Sequence, residues 1–184
     1  VLGDAMVDSD LWGKVDRISP EAPIPFVTVT KQENRLGGAG NVSLNIQALG
    51  ATPILVSIIG NDEKGRVFSE LMEENNLSSE GIFIDDSRMT TVKTRIISGG
   101  QQISRVDQEI SSLINQDFQQ HIFARIREII DRRNIHIIIF VDYDKGLISS
   151  GLFKNVIDLA KEKNIFTAAD PKSRNFSNYD RVDL

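Results

Sequence analysis

The sequence predicts an α/β fold: a doubly wound, mainly parallel sheet with helices on both faces, plus a small separate β-sheet. Three observations lead there. Apolar runs of strand length alternate with amphipathic helical segments across short links, the rhythm of βαβ units. The runs have the apolar character of strands buried in a parallel sheet. Two segments, about 11–32 and 91–107, break that rhythm and read as extended chain outside the main sheet.

The elements follow in order. The chain opens in an apolar strand that reaches Val7 and Asp8, then runs extended and proline-punctuated through Leu11–Gln32. Gly37-Gly38 opens a helix carried by Val42, Leu44, Ile46 and Leu49, and Gly50 stops it. Ile54 to Ile59 is a strand ending at Gly60-Asn61-Asp62, and Val67, Leu71 and Met72 carry a helix from about Asp62 to Asn76. Gly81–Ile84 is a short strand. The stretches 91–97 and 102–107 alternate at period two around Ser98-Gly99-Gly100-Gln101, a hairpin signal. Phe118–Arg133 places Ile122, Phe123, Ile126, Ile129 and Ile130 on one helical face. Ile135–Val141 is a buried strand, Ser149–Lys163 a helix, and Ile165–Ala169 a strand ending at Asp170.

Composition narrows the function classes. At 184 residues and 40% hydrophobic, the chain has the size and apolar share of one globular domain. No run approaches the ~18 apolar residues of a membrane span, so no membrane partner is expected. A net charge of −5, with no basic stripe interleaved with aromatics, argues against nucleic acid. The absence of cysteine excludes disulfides and thiolate metal sites and fits a cytoplasmic setting. His121 and His136 have no partner constellation, so no metal ligand is expected.

Candidate site residues gather at strand ends and glycine turns. Two glycines at a helix start leave backbone N–H groups open to close approach by a polar ligand. Asn41, one turn in, can both donate to and accept from hydroxyl groups. Asp8 ends an apolar strand, where ligands bind in parallel sheets, and a carboxylate can accept two hydroxyl bonds; its bland alternative is a turn or cap residue. Asp4 reads equally as structural. Lys93 and Arg95, at i and i+2, share one face of a strand and invite an anion, although solvated charges on an exposed strand are commonplace. Arg105 joins them if a three-residue loop pairs it with Arg95; a two-residue loop at Gly99-Gly100 pairs it with Thr94 on the opposite face. Asp142 again ends a strand, and Lys172 follows the last strand as either a phosphate contact or a plain surface lysine.

The spacing Gly37-Gly38, Asn41, Ser43, Gly50, Gly60 resembles the first signature of the ribokinase-like (PfkB) carbohydrate kinases. Gly3–Asp8, Arg17–Pro23, Asp142-Tyr143-Asp144-Lys145-Gly146 and Asp170-Pro171-Lys172 are similar to the bacterial heptose 7-phosphate kinases of that family. The resemblance implies transfer of phosphate from Mg-ATP to O1 of D-glycero-β-D-manno-heptose 7-phosphate, feeding ADP-heptose and lipopolysaccharide core synthesis. It assigns Asp8, Gly37, Gly38, Asn41 and Asp142 to the sugar, Lys93, Arg95 and Arg105 to its 7-phosphate, and Lys172 to the nucleotide. It also makes the two segments outside the main sheet a β lid through which a homodimer is expected. The family's Gly-Ala-Gly-Asp motif, which supplies the general base and anion hole, and its Asn-x-x-Glu element do not occur in these residues. The expectation is therefore the N-terminal, sugar-binding part of one kinase domain, inactive alone. Other family sugars (fructose, ribose, a nucleoside) and a non-catalytic sugar-phosphate-binding module are the competing readings.

Overall fold

Short apolar strands with helices between them can bury both sheet faces only by winding those helices to opposite sides, and the chain does so. The computed structural model describes residues 1–184, the side chain of Arg174 excepted. The elements are β1 (Leu2–Gly3), β2 (Ala5–Ile18), β3 (Pro25–Gly38), α1 (Ala39–Ala48), β4 (Ser57–Gly60), α2 (Glu63–Glu74) and β5 (Ile82–Asp85). There follow β6 (Val92–Ser98), β7 (Gln101–Gln108), α3 (Gln116–Arg132), β8 (Ile137–Val141), α4 (Ser150–Glu162), β9 (Phe166–Asp170) and a 3-10 helix, Ser173–Tyr179.

β5, β4, β1, β8 and β9 lie side by side and parallel. β1 joins β4 through a Leu2–Val56 bridge, with Gly3 N–H donating to the Val56 carbonyl at 3.2 Å. Alternation along β8 shows both faces covered. Ile138 and Phe140 enter a core with Ile122, Ile126 and Ile129 of α3 and Leu152, Val156 and Ile157 of α4. Ile139 and Val141 point to the other, with Ala39 of α1 and Phe68 and Met72 of α2. Period two in the strand thus sorts one apolar run into two cores. The helix starts are capped as their sequences ask: Asp62, Asn115 and Ser149 side chains accept N–H bonds from Gly65, Phe118 and Leu152 at 2.7, 2.8 and 3.0 Å.

The second sheet has the order β3-β2-β6-β7, with β2–β3 and β6–β7 antiparallel and β2–β6 parallel. Its first hairpin is longer than the expected 11–32 segment. The chain does not leave an extended state after β1; it bends at Asp4 and continues as β2, and β3 pairs with it back to Ala5↔Gly38.

The β6–β7 register resolves in a way that neither sequence alternative contained. The turn has two residues, Gly99 and Gly100, both at positive φ, with Ser98 paired to Gln101. Ile97 pairs Gln102 and Ile96 pairs Ser104, so Ile103 is left unpaired as a bulge. That extra residue shifts the ladder by one and restores Arg95↔Arg105, placing both on one face.

Candidate active site at the junction of the two sheets

Asp4 is where the two sheets meet. Its side chain is buried and accepts the backbone N–H groups of Tyr143 (2.9 Å) and Lys145 (3.1 Å). Its backbone carbonyl accepts from Ala39 N–H at 2.9 Å. One residue thereby fixes the loop after β8 and the start of α1. Burial pushes its pKa up to about 6, against the backbone donors that pull it down, and the Asp142 charge adds to the rise.

The glycine pair sits at the end of β3, and both residues are buried. A Cβ on Gly37 would lie 2.6 Å from Asp8 Oδ2 and 2.8 Å from Met6 Cγ, and one on Gly38 would run into the Asp4 carbonyl. Gly38 also has φ +56°. Gly37 therefore lets β3 close on β2 around the Asp8 carboxylate, and Gly38 lets it pass the Asp4 carbonyl at positive φ. Asn41 is exposed on the first turn of α1.

Register gathers the charged side chains. Asp8 stands between Arg35 of β3 and Lys93 of β6, and Asp10 between Glu33 and Arg95. Arg95 Nη1 donates to Asp8 Oδ1 at 2.9 Å and lies 3.7 Å from Asp10 Oδ1, while Arg35 pairs with Asp10. Arg105 Nε bonds Asp107 Oδ1 at 2.9 Å. So Arg95 and Arg105 are already neutralised by carboxylates, and Lys93 makes no ion pair among the described residues. The Lys93 ammonium instead lies 5.6 Å from the centre of the Tyr143 ring, and the Lys172 ammonium 5.1 Å from the same ring. Asp8, Asp170 and burial together raise the Tyr143 hydroxyl pKa, burial most.

Asp142 is enclosed. Its Oδ1 accepts Asp144 N–H at 2.7 Å, and its Oδ2 accepts from Asn175 Nδ2 (2.8 Å) and the Tyr179 hydroxyl (3.0 Å). In this arrangement it ties the β8 loop to the 3-10 helix. The site residues anticipated from sequence thus divide. Asp8, Gly37, Lys93 and Arg95 come together, Lys172 joins them through Tyr143, Arg105 lies on the same sheet face beside Arg95, and Asp142 belongs to the supporting network. Sequence reasoning missed Asp10, Arg35 and Tyr143. Period two from Asp8 marks Asp10, and Tyr143 adjoins Asp142 in a motif already singled out, but nothing local marks Arg35. Among the described residues no three His, Asp or Glu side chains gather to hold a metal ion, and no helix is long and apolar enough to cross a membrane.

Residues 1–144 match the family model described as pfkB family carbohydrate kinase. Bifunctional protein HldE of Helicobacter pylori is 39% identical over all of this chain, which covers 39% of that protein. HldE of Geobacter metallireducens is 38% identical over 97% of this chain and 36% of its own length. The chain thus spans well under half the length of these relatives. Escherichia coli phosphofructokinase-2 in complex with fructose-6-phosphate superposes with TM-score 0.68 at 15% identity, over 97% of this chain and 56% of that one. A Staphylococcus aureus protein described as a phosphofructokinase superposes with TM-score 0.72 at 12% identity, over 97% and 55%. Those two show the fold. With the family model matched over most of its residues, this chain belongs to the pfkB family of carbohydrate kinases.

Proposed function

We propose that the protein this chain belongs to phosphorylates O1 of D-glycero-β-D-manno-heptose 7-phosphate with Mg-ATP, and that these residues form its sugar site. The observation that carries the reading is the position of Asp8: not at a strand end, as its sequence suggests, but inside β2 of the second sheet, a partly exposed carboxylate paired in register with Lys93, bonded to Arg95 and packed against Gly37. Asp8 accepts sugar hydroxyl protons in hydrogen bonds, and Asn41 adds a donor and an acceptor. Arg95, bonded to Asp8, orients that carboxylate, and Lys93 is the cation left over for the sugar's phosphate. Lys172, exposed at the end of β9, faces the phosphoryl donor. Transfer is in line, and the chain's contribution is positioning and charge neutralisation. ATP supplies the phosphoryl group, and among the described residues no cluster of acidic or histidine side chains gathers to hold its Mg.

Further parts of the reading are a homodimer through the second sheet and a cytoplasmic setting. The exposed apolar residues Ile18, Ile24, Phe26 and Val29 on the β2–β3 hairpin support the dimer. Sedimentation of the full-length protein tests it, and a monomer at micromolar concentration would count against it. One observation favours a second substrate class: with Arg95 and Arg105 both neutralised, fewer cations are free for a sugar phosphate, which suits fructose or ribose.

The test compares ATP consumption by the full-length protein with heptose 7-phosphate, fructose and ribose. Faster turnover of an unphosphorylated sugar overturns the heptose assignment. Lys93→Ala is expected to raise KM for the phosphorylated sugar far more than for its dephosphorylated analogue. Arg95→Ala, which frees Asp8, is expected to penalise both.

A further inference from the structure

Tyr143 carries two cations on one ring. Lys93 comes from β6 of the second sheet, Lys172 follows β9 of the first, and Tyr143 follows β8, so the ring stands at the seam between the sheets. Its own position is fixed from below: its backbone N–H donates to the buried Asp4 carboxylate at 2.9 Å. Both ammonium groups lie within the ~6 Å at which the negative face of an aromatic ring attracts a cation. Two like charges drawn to one ring repel each other, and the ring offsets part of that repulsion while leaving their N–H groups free for an anion. Neither lysine has a carboxylate partner among the described residues.

We propose that Tyr143 is a positioning residue: its ring, not its hydroxyl, presents Lys93 and Lys172 together to phosphate-bearing ligands on the two sides of the seam. The inference rests on the sugar-kinase reading for the identity of those ligands, Lys93 facing the acceptor's phosphate and Lys172 the nucleotide's. It goes beyond that reading in assigning both cations one shared support. Binding on either side then depends on the same ring, while the apolar core shared by Val7, Leu36 and Val92 with Ile59 and Val141 holds the two sheets together.

The test uses the full-length protein and two substitutions. Tyr143→Leu is expected to raise KM for the sugar phosphate and for ATP each about two- to fivefold, the loss a cation–π contact at a partly exposed site implies. kcat and the thermal midpoint should hold nearly constant. Tyr143→Phe keeps the ring and should behave as the parent. Proton NMR adds a direct signature: the ε-methylene protons of Lys93 and Lys172 carry ring-current shifts that Tyr143→Leu abolishes and Tyr143→Phe retains. If Tyr143→Leu folds poorly, phenylalanines with one, two and three ring fluorines at position 143 replace it, and KM should climb with each fluorine as the ring face loses negative character. Titration with inorganic phosphate, followed by calorimetry, separates this idea from the substrate assignment. Should heptose 7-phosphate not be turned over, phosphate and ATP affinities still decide the role of the ring. Unchanged affinities in Tyr143→Leu, a change for one ligand only, or a Phe variant as impaired as the Leu variant would each overturn the proposal.

Discussion

The two sheets share one strand path, β1 running into β2 at Asp4, and Val7, Leu36 and Val92 carry the second into the apolar core of the first, yet their outer parts differ in kind. The parallel sheet is apolar on both faces, and its polar side chains, Asp4, Ser57 and Asp142, have their bonds made by other parts of the protein. In the β3-β2-β6-β7 sheet one face is a lattice of carboxylates and cations, and strand β7 is exposed along its length. The difference teaches where stability and recognition reside. Burial of apolar surface contributes most of the folding free energy, whereas partly exposed ion pairs contribute little to stability and much to orienting charge.

Four perturbations break or sharpen that contrast. The largest effect is expected from Phe140→Ala in the parallel sheet. Phe140 is fully buried, with its ring centre 5.0 Å from that of Phe153 and 6.1 Å from that of Tyr179. Truncation should cost about 3–5 kcal/mol in denaturant unfolding. A loss below about 1 kcal/mol would mean that the parallel sheet is not where stability resides.

Asp4 comes next, because it couples the sheets and titrates. Its folded pKa is raised to about 6 from 3.8, so the folded state holds a proton that the unfolded state releases between those values. Over that window the unfolded chain binds fewer protons, and stability falls as pH rises, by something on the order of 2–3 kcal/mol in all, then levels off above pH ~6. Asp4→Asn removes the titration while keeping an acceptor for the Tyr143 and Lys145 N–H groups. Melts from pH 4 to 7 should show that slope in the parent and not in the variant.

Arg95→Ala tests the charged face. Its partner Asp8 has a side chain 22% exposed and Arg95 one 32% exposed. Stability should change by less than about 1 kcal/mol in melts, in contrast with the effect on sugar binding described above. The smallest effect is expected from deleting Ile103. Its removal takes out the bulge while leaving Ile97 opposite Gln102 and Arg95 opposite Arg105. Stability should stay within about 0.5 kcal/mol. A large loss would show that the local twist of the bulge itself stabilises the β6–β7 hairpin.

The sequence by itself determined the parallel sheet, its helices on both faces and the helix starts. Those features rest on local periodicity and on residues within a few positions of one another, though the third helix starts at Gln116 behind its Asn115 cap, two residues before the Phe118 expected from periodicity. It also determined which side chains to watch, since Asp8, Lys93 and Arg95 stand out as charges among apolar neighbours. Tertiary structure alone decided what those charges do. Arg95 finds Asp8 across 87 residues of chain, and Tyr143 meets Lys93 and Lys172 only because β8 and β9 end where β6 begins. The Arg95–Arg105 pairing hung on a bulge at Ile103, whose place is set by how β7 pairs with β6 rather than by the order of residues within β7. Short-range patterns encode which face is buried, whereas partner choice among like-charged residues depends on register between strands far apart in the chain.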